Sequence, residues 1–394
     1  MRNILQKGNK MFYAYIRQQV SSRVEIPSIL KNRNGEVIKT PKDIAELFAT
    51  EFEEVYTIEP AFTSENRLES TATLNTVEFN VVEIGQTLSS LDANSATGPD
   101  GIPAILLINC AIRIAPLLKI LFQQSIDMIK IPTAWKHAIV TPIFKKGSID
   151  NPKNYRPISL TSIIGKVMER IIVRQLREFI ERNKLIPQQQ HGFVEGRSTT
   201  TNLLTSLNAW TEALDKNKPV DVLYLDYAKA FDKVPHGRLL WKLKRAGITG
   251  NLLGWIREYL TNRTFQVRVG NTLSTRRRVT SGVPQGSVLG PLLFIIYTAD
   301  FGERLQSDWI CYADDTKLYV NPLEQQQQLQ EDIRQVQIWS ETWLLPLNQN
   351  KCKVLHIGKN NPKLQYNMSN HIIQPTEAEV DLGVIITKDL KWER

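Results

Sequence analysis

The segment Trp309-Ile-Cys-Tyr-Ala-Asp-Asp-Thr-Lys-Leu-Tyr-Val320 reads as an apolar strand, a tight acidic turn and a second strand. Packing does not explain two adjacent carboxylates, Asp314 and Asp315, at a hairpin tip, because ionised Asp belongs in water or on a cation. A second apolar, β-rich run, Val220-Asp-Val-Leu-Tyr-Leu225, reads as a buried strand that delivers Asp226 at its end. One carboxylate from a strand end and two from a neighbouring hairpin make a site for hard, oxygen-seeking ions such as Mg²⁺. Taken singly, each motif also has a plainer reading: Asp-Asp as turn chemistry, Asp226 as a helix cap.

The chain of 394 residues is long enough for two or three subdomains. Its net charge of +9 points to a polyanionic partner, with nucleic acid the first candidate. The excess is clustered. Lys130 to Glu178 holds ten basic residues against three acidic ones, and Arg263 to Arg278 holds five Arg and no acid. Two such blocks flanking the acidic site suit a phosphate track better than a solvated face.

Cys110, Cys311 and Cys352 are widely spaced and lack a CxxC pair, which implies a reducing, intracellular compartment and no structural zinc. The five His residues are scattered and add no metal signature. No signal peptide or membrane span is expected. The most apolar stretch, Ala104 to Phe122, is broken by Arg113 and Lys119 and reads as an amphipathic core helix.

Along the chain, a basic helix, a turn at Asn34-Gly35 and a second helix are expected first. The second helix has Thr40 as N-cap, Pro41 at its first position and Asp43 three on from the cap. Residues 57 to 80 read as a polar linker. A strand from His137 ends in the basic turn Lys145-Lys146-Gly147. A helix over Thr161 to Asn183 follows, then a Gly-marked loop from His191 to Arg197 and another helix. Phe265 to Val269 and Leu273 to Val279 read as a hairpin about Gly270-Asn271. The loop Ser281 to Gly286 opens an apolar helix reaching about Leu305. Glu324 to Leu345 is helical, and Cys352 to Ile357 and Val380 to Ile386 are β segments.

Five blocks in this order resemble the reverse transcriptase domain of non-LTR retrotransposons, close to the jockey-like and LINE-type elements. They are Ala138-Ile-Val-Thr-Pro-Ile-Phe-Lys-Lys-Gly147 with Asn154-Tyr-Arg-Pro-Ile-Ser-Leu160; His191-Gly-Phe-Val-Glu-Gly-Arg-Ser198; Leu225-Asp-Tyr-Ala-Lys-Ala-Phe-Asp-Lys-Val-Pro-His236; Ser281-Gly-Val-Pro-Gln-Gly-Ser-Val-Leu-Gly-Pro-Leu292; and Tyr312-Ala-Asp-Asp315. The resemblance runs from the Gly98-Pro-Asp-Gly101 turn to Leu382-Gly-Val384.

The resemblance implies an α+β, right-hand polymerase with fingers and an antiparallel β-sheet palm. Residues 1–80 would be an N-terminal helical extension and linker, 81–219 the fingers with part of the palm, and 220–394 the palm. The sequence stops where thumb helices are expected and nothing upstream resembles an endonuclease, so a truncated copy of an element is expected. The implied activity is RNA-directed DNA synthesis from deoxynucleotides on an RNA template with a DNA primer. Two alternatives remain: a non-catalytic nucleic-acid-binding remnant, and an RNA-templated RNA polymerase.

The resemblance also implies site residues. Asp226, Asp314 and Asp315 would carry two Mg²⁺ ions, with Mn²⁺ as a substitute. Lys145 and Arg156 match positions that contact the incoming triphosphate, and the Arg fork suits phosphate oxygens. Phe231 corresponds to the gate that crowds a ribose 2′-hydroxyl. Gln285 and Gly286 would lie against template or nucleotide. Lys351 resembles the lysine that protonates leaving pyrophosphate, with Lys353 a near-equal candidate. Arg197 and Ser198 open a helix after a Gly loop, an anion site suited to backbone phosphate.

Overall fold

The computed structural model describes residues 26–27, 29–62 and 72–391. The basic helix expected at the start of the chain lies outside them. In chain order the elements are β1 (Leu30–Lys31), β2 (Val37–Ile38), α1 (Pro41–Glu53), α2 (Val81–Ser89), α3 (Ala104–Asn109), α4 (Ala111–Asp127), β3 (His137–Phe144), β4 (Tyr155–Leu160), α5 (Ile163–Arg182) and α6 (Thr199–Asp215). Then come β5 (Val220–Leu225), α7 (Ala230–Lys233), α8 (His236–Arg245), α9 (Gly250–Leu260), β6 (Arg263–Val269), β7 (Thr272–Leu273), β8 (Arg277–Val279), α10 (Gly290–Tyr297), β9 (Asp308–Tyr312) and β10 (Asp315–Val320). The last are α11 (Pro322–Thr342), β11 (Lys353–Ile357), β12 (Asn367–Met368), β13 (His371–Ile372), β14 (Gln374–Thr376), β15 (Ala378–Asp381) and β16 (Val384–Thr387). Helices and strands are thus mixed along the described residues.

Two compact units result. The first is Met1–Glu54, Ile139–Ile158 and Gln266–Arg277; the second is Val55–Ala138, Ser159–Phe265 and Arg278–Arg394. In the first unit, Asn34-Gly35 turns β1 back on β2, with the Asn32 carboxamide accepting from the Asn34 and Glu36 amides. Helix α1 starts as its cap signal requires: the Thr40 hydroxyl accepts from the Asp43 amide at 3.1 Å. Its Phe48 packs edge-on against Tyr155, ring centroids 4.9 Å apart. The unit also holds most of β3, β4 and β6, with β7, from a sheet of order β4-β3-β6-β7 in which β8 pairs with β6.

The second unit is built on a sheet of order β14-β11-β5-β10-β9. Strand β5 is its centre, antiparallel to both β10 and β11. Neighbours on both edges and cover on both faces explain why 220–225 is apolar without alternation. The one charged residue within it, Asp221, is fully buried. Its carboxylate accepts from Tyr366 Oη and Asn361 Nδ2, each at 2.7 Å, and lies 2.7 Å from His356 Nδ1, so the buried charge is satisfied. Lys317 on β10 is buried likewise and pairs with Asp381 of β15.

Three expectations need correction. Ala104 to Phe122 is two helices broken at Cys110. α4 buries Ala115, Leu118 and Phe122 but leaves Ile112, Leu117 and Ile120 exposed. The apolar run after Gly286 is helical only over Gly290–Tyr297, because Thr298 to Phe301 close successive turns instead of continuing it. The polar stretch before α2 is not a bare linker: Val77 and Phe79 are buried, and Leu74 bridges to Ile248.

Candidate nucleotidyl-transfer site

Strands β9 and β10 form a hairpin in which Tyr312 pairs with Asp315, so Ala313 and Asp314 make a two-residue turn. Ala313 has φ of 58°, and a positive φ at the first turn position alone is the pattern of a type II′ turn. A side chain there is strained, so the turn needs outside support.

Strand β10 pairs with β5 in a register that sets Thr316 opposite Leu225. The ladder ends at that pair, and Asp226 and Asp315 are the chain neighbours of its two members. The sheet therefore brings all three acidic residues to one end of β5. Asp226 and Asp314 are half-buried and Asp315 is exposed.

The end of β5 is also tied to the segment before β11. Ala228 N–H donates to Pro346 O and Asn348 N–H to Asp226 O, at 2.8 and 2.7 Å. The next turn delivers Lys351, whose Nζ stands 3.6 Å from Asp226 Oδ2. Lys353 instead lies on β11 opposite Tyr224. The structure thus separates two lysines that the sequence left level. Asp226 Oδ2 is itself buried and accepts no hydrogen bond, so its charged neighbour among the described residues is the Lys351 ammonium.

Among the described residues, no group of three or more His, Cys, Asp or Glu side chains is gathered closely enough to hold a metal ion. That is compatible with Mg²⁺, which is commonly held by one or two carboxylates while substrate phosphates and water complete its shell.

A second cluster forms where the loop Ser281 to Gly286 meets the turn 231–234. Val283 N–H donates to Phe231 O at 2.8 Å, and Gly282 N–H to Val234 O at 2.7 Å. The Gln285 amide nitrogen donates to both carboxylate oxygens of Asp232, each at 2.8 Å. Gly286 sits at φ of 102°, and a Cβ there would lie 2.7 Å from Ser159 O. Phe231 stacks on Phe294, centroids 4.2 Å apart, and meets Phe193 edge-on. The start of α10 is capped from within, by the Glu169 carboxylate accepting from the Val288 and Leu289 amides.

The other candidates are Lys145, Arg156, Arg197 and Ser198. Lys145 and Arg156 belong to the first unit, both exposed, at the end of β3 and on β4. Arg197 Nη1 donates to the carbonyls of Pro187, Gln188 and Gln190. The Ser198 hydroxyl accepts from the Thr201 amide, and Thr201 Oγ1 accepts from the Ser198 amide, a capping box for α6.

Sequence reasoning passed over two residues with central contacts, Asp232 and Gln190. Asp232 lies inside the block Leu225 to His236, where its burial carries no local signal. Gln190 immediately precedes the block that starts at His191. Its Oε1 accepts from the amides of Gly192 and Ala313, at 2.7 and 2.8 Å.

Residues 143–386 match the sequence profile of the family described as Reverse transcriptase (RNA-dependent DNA polymerase). The chain belongs to the reverse transcriptase family. It is a LINE-type member by its relatives. It is 30% identical over 372 residues to "Probable RNA-directed DNA polymerase from transposon BS" of Drosophila melanogaster, an alignment covering 89% of this chain and 40% of that protein. It is 29% identical to "RNA-directed DNA polymerase from mobile element jockey" of the same species, covering 93% and 42%. The chain thus spans less than half the length of these curated relatives.

A solved structure, "Structure of apo telomerase from Candida Tropicalis truncated from C-terminal domain", aligns with a TM-score of 0.44 at 12% identity. That alignment covers 65% of this chain and 56% of the other. Reverse transcriptase domains in general use divalent metal ions. No helix among the described residues is long and apolar enough to cross a membrane.

Proposed function

We propose that this chain is the RNA-directed DNA polymerase of a non-LTR retrotransposon, joining deoxynucleotides to a primer 3′-hydroxyl on an RNA template. The observation that supports the reading is the pairing of β5 with β10, which ends at Leu225 and Thr316, the chain neighbours of Asp226 and Asp315. On this reading residues 81–219 are fingers with part of the palm, 220–394 continue the palm, and 1–80 precede them as an extension of the right-hand fold.

Asp226, Asp314 and Asp315 would hold two Mg²⁺ ions, with Mn²⁺ able to replace them. When bound, such ions lower the pKa of the attacking hydroxyl and neutralise the triphosphate. The chain's own side chains do the rest by positioning and charge. Lys351, beside Asp226, supplies a proton to the leaving pyrophosphate. Lys145 and Arg156 bind triphosphate oxygens. Phe231 crowds the sugar 2′ position. Gln285 directs its carbonyl end to the nucleotide or template, since Asp232 occupies its amide nitrogen. Gly286 lets the backbone approach the base pair. Arg197 and Ser198 lie along the path of a backbone phosphate.

The test is primer extension on an RNA template with Mg²⁺ and deoxynucleotides, comparing the chain with Asp314→Asn. Extension by the unaltered chain should fall by at least about 1000-fold in the variant while template binding is retained. No extension by either protein, with tight binding by both, would make the chain a non-catalytic remnant. Preferential use of ribonucleotides would make it an RNA polymerase.

A further inference from the structure

The turn that carries Asp314 is held from outside its own hairpin. Residues 189–192 run beside β9: Cys311 N–H donates to Gln189 O at 3.0 Å, and His191 N–H donates to Cys311 O at 2.8 Å. The Gln190 side chain, only 2% exposed, projects from this segment onto the turn. One oxygen, Gln190 Oε1, accepts from both the Ala313 and the Gly192 amides.

Gly192 completes the fit. A Cβ at that position would lie 2.3 Å from Ala313 N and 3.0 Å from Ala313 Cα, so no other residue lets the two backbones come this close. The far side of the segment is fixed as well. Arg197 Nη1 donates to the carbonyls of Pro187, Gln188 and Gln190. His191 Nδ1 lies 2.9 Å from Thr201 Oγ1 near the start of α6.

Ala313 sits at positive φ, which a lone hairpin does not favour for a residue with a side chain. Its N–H precedes Asp314 by one peptide unit, so its direction sets where the Asp314 carboxylate emerges. A buried amide oxygen accepting that N–H therefore fixes the carboxylate's bearing, much as outer partners orient metal ligands.

We propose that Gln190 is a positioning residue for the polymerase site. Its carboxamide oxygen, backed by Gly192 and braced by Arg197, holds the Ala313-Asp314 turn in the shape that aims Asp314 at the divalent ions. The inference rests on the function proposed above and adds to it a residue outside the acidic motifs. It also gives Arg197 a structural task in the same clamp.

The full chain and its Gln190→Leu, Gln190→Glu and Gly192→Ala variants would be compared in two ways. One is steady-state primer extension at varied Mg²⁺; the other is Mn²⁺ binding followed by electron paramagnetic resonance without nucleotide. Leucine keeps the volume and removes the acceptor, whereas glutamate keeps it. For Gln190→Leu, kcat should fall about 100-fold, with the deoxynucleotide KM changed less than about threefold. Its Mn²⁺ affinity should weaken about tenfold. Gln190→Glu should recover most of both losses, a rescue that a merely packed side chain would not show.

Equal kcat and Mn²⁺ affinity in wild type and Gln190→Leu would overturn the proposal. If Gln190→Leu does not fold, Gly192→Ala decides, because its Cβ displaces Ala313 while Gln190 is intact. Weakened Mn²⁺ binding in the folded variant supports the clamp, and unchanged binding overturns it. An unaltered chain that makes no DNA defeats the polymerase reading separately, and the Mn²⁺ comparison still judges the clamp. Absence of Mn²⁺ binding by the unaltered chain overturns both.

Discussion

The Gln285 amide nitrogen lies 2.8 Å from each carboxylate oxygen of Asp232, a buried residue six positions beyond Asp226. A carboxylate only accepts, so the contact fixes which end of the Gln285 amide turns away from it. The Gln285 carbonyl oxygen is therefore the end turned away from Asp232.

Burial of the same carboxyl makes stability pH-dependent. Burial pushes the Asp232 carboxyl up from its ordinary 3.8 to about 6, against the downward pull of the Gln285 hydrogen bonds and the Lys229 charge. A carboxyl whose folded pKa is raised favours the folded state when protonated. Its contribution is complete below about pH 4 and is lost as pH rises through about 6, a total of roughly 3 kcal/mol. Asp232→Asn removes this term. Urea unfolding at a series of pH values should show the variant gaining stability relative to wild type between pH 4 and 7. A constant difference across that range would rule out the buried-carboxyl account.

Phe231 stacks on Phe294 at one face, so Phe231→Ala has two expected effects. Folding stability should drop by about 2–4 kcal/mol through the lost ring contacts. Ribonucleotide incorporation, read in competition with deoxynucleotides, should rise. Unchanged sugar selectivity in a folded variant would leave Phe231 as packing alone.

Lys351 and Lys353 are separable by substitution. Lys351→Met removes the ammonium beside Asp226 and should lower kcat about 100-fold, the scale of general acid catalysis. Lys353→Met, on β11 opposite Tyr224, should change kcat less than about threefold. Single-turnover extension with both variants is the measurement, and equal losses would contradict the assignment.

Gly286→Ala places a Cβ 2.7 Å from Ser159 O at a φ of 102°. The strain should lower stability by about 1–3 kcal/mol, measured by chemical denaturation. A change below about 0.5 kcal/mol would show that the loop relaxes freely.

What the sequence disclosed follows from how local each signal is. The Thr40-Pro41-Asp43 helix start and the Asn34-Gly35 turn depend on neighbouring residues, and both form as read. The length of α10 was not readable. Every residue from Gly290 to Tyr297 except Pro291 is buried, so apolar content has no period to mark where the helix stops. Val77 and Phe79 sit among polar neighbours and give no sign of the core they enter.

The acidic residues of the candidate site stood out because carboxylates at strand ends are conspicuous. Gln190 and Asp232 did not. The contact of Gln190 is with Ala313, across more than a hundred residues of chain. Asp232 differs from any surface Asp only in being covered.

The position of β5 has a consequence for how the protein is made. All its sheet partners, β10 and β11, come later in the chain. During synthesis β5 leaves the ribosome first and waits with two open edges until residues up to Ile357 have followed. Open apolar edges invite pairing between chains, so the nascent protein passes through an aggregation-exposed interval before the acidic residues can meet. Copies interrupted between Val320 and Lys353 would keep every acidic residue of the site yet leave the strand that delivers Asp226 unpaired on one side.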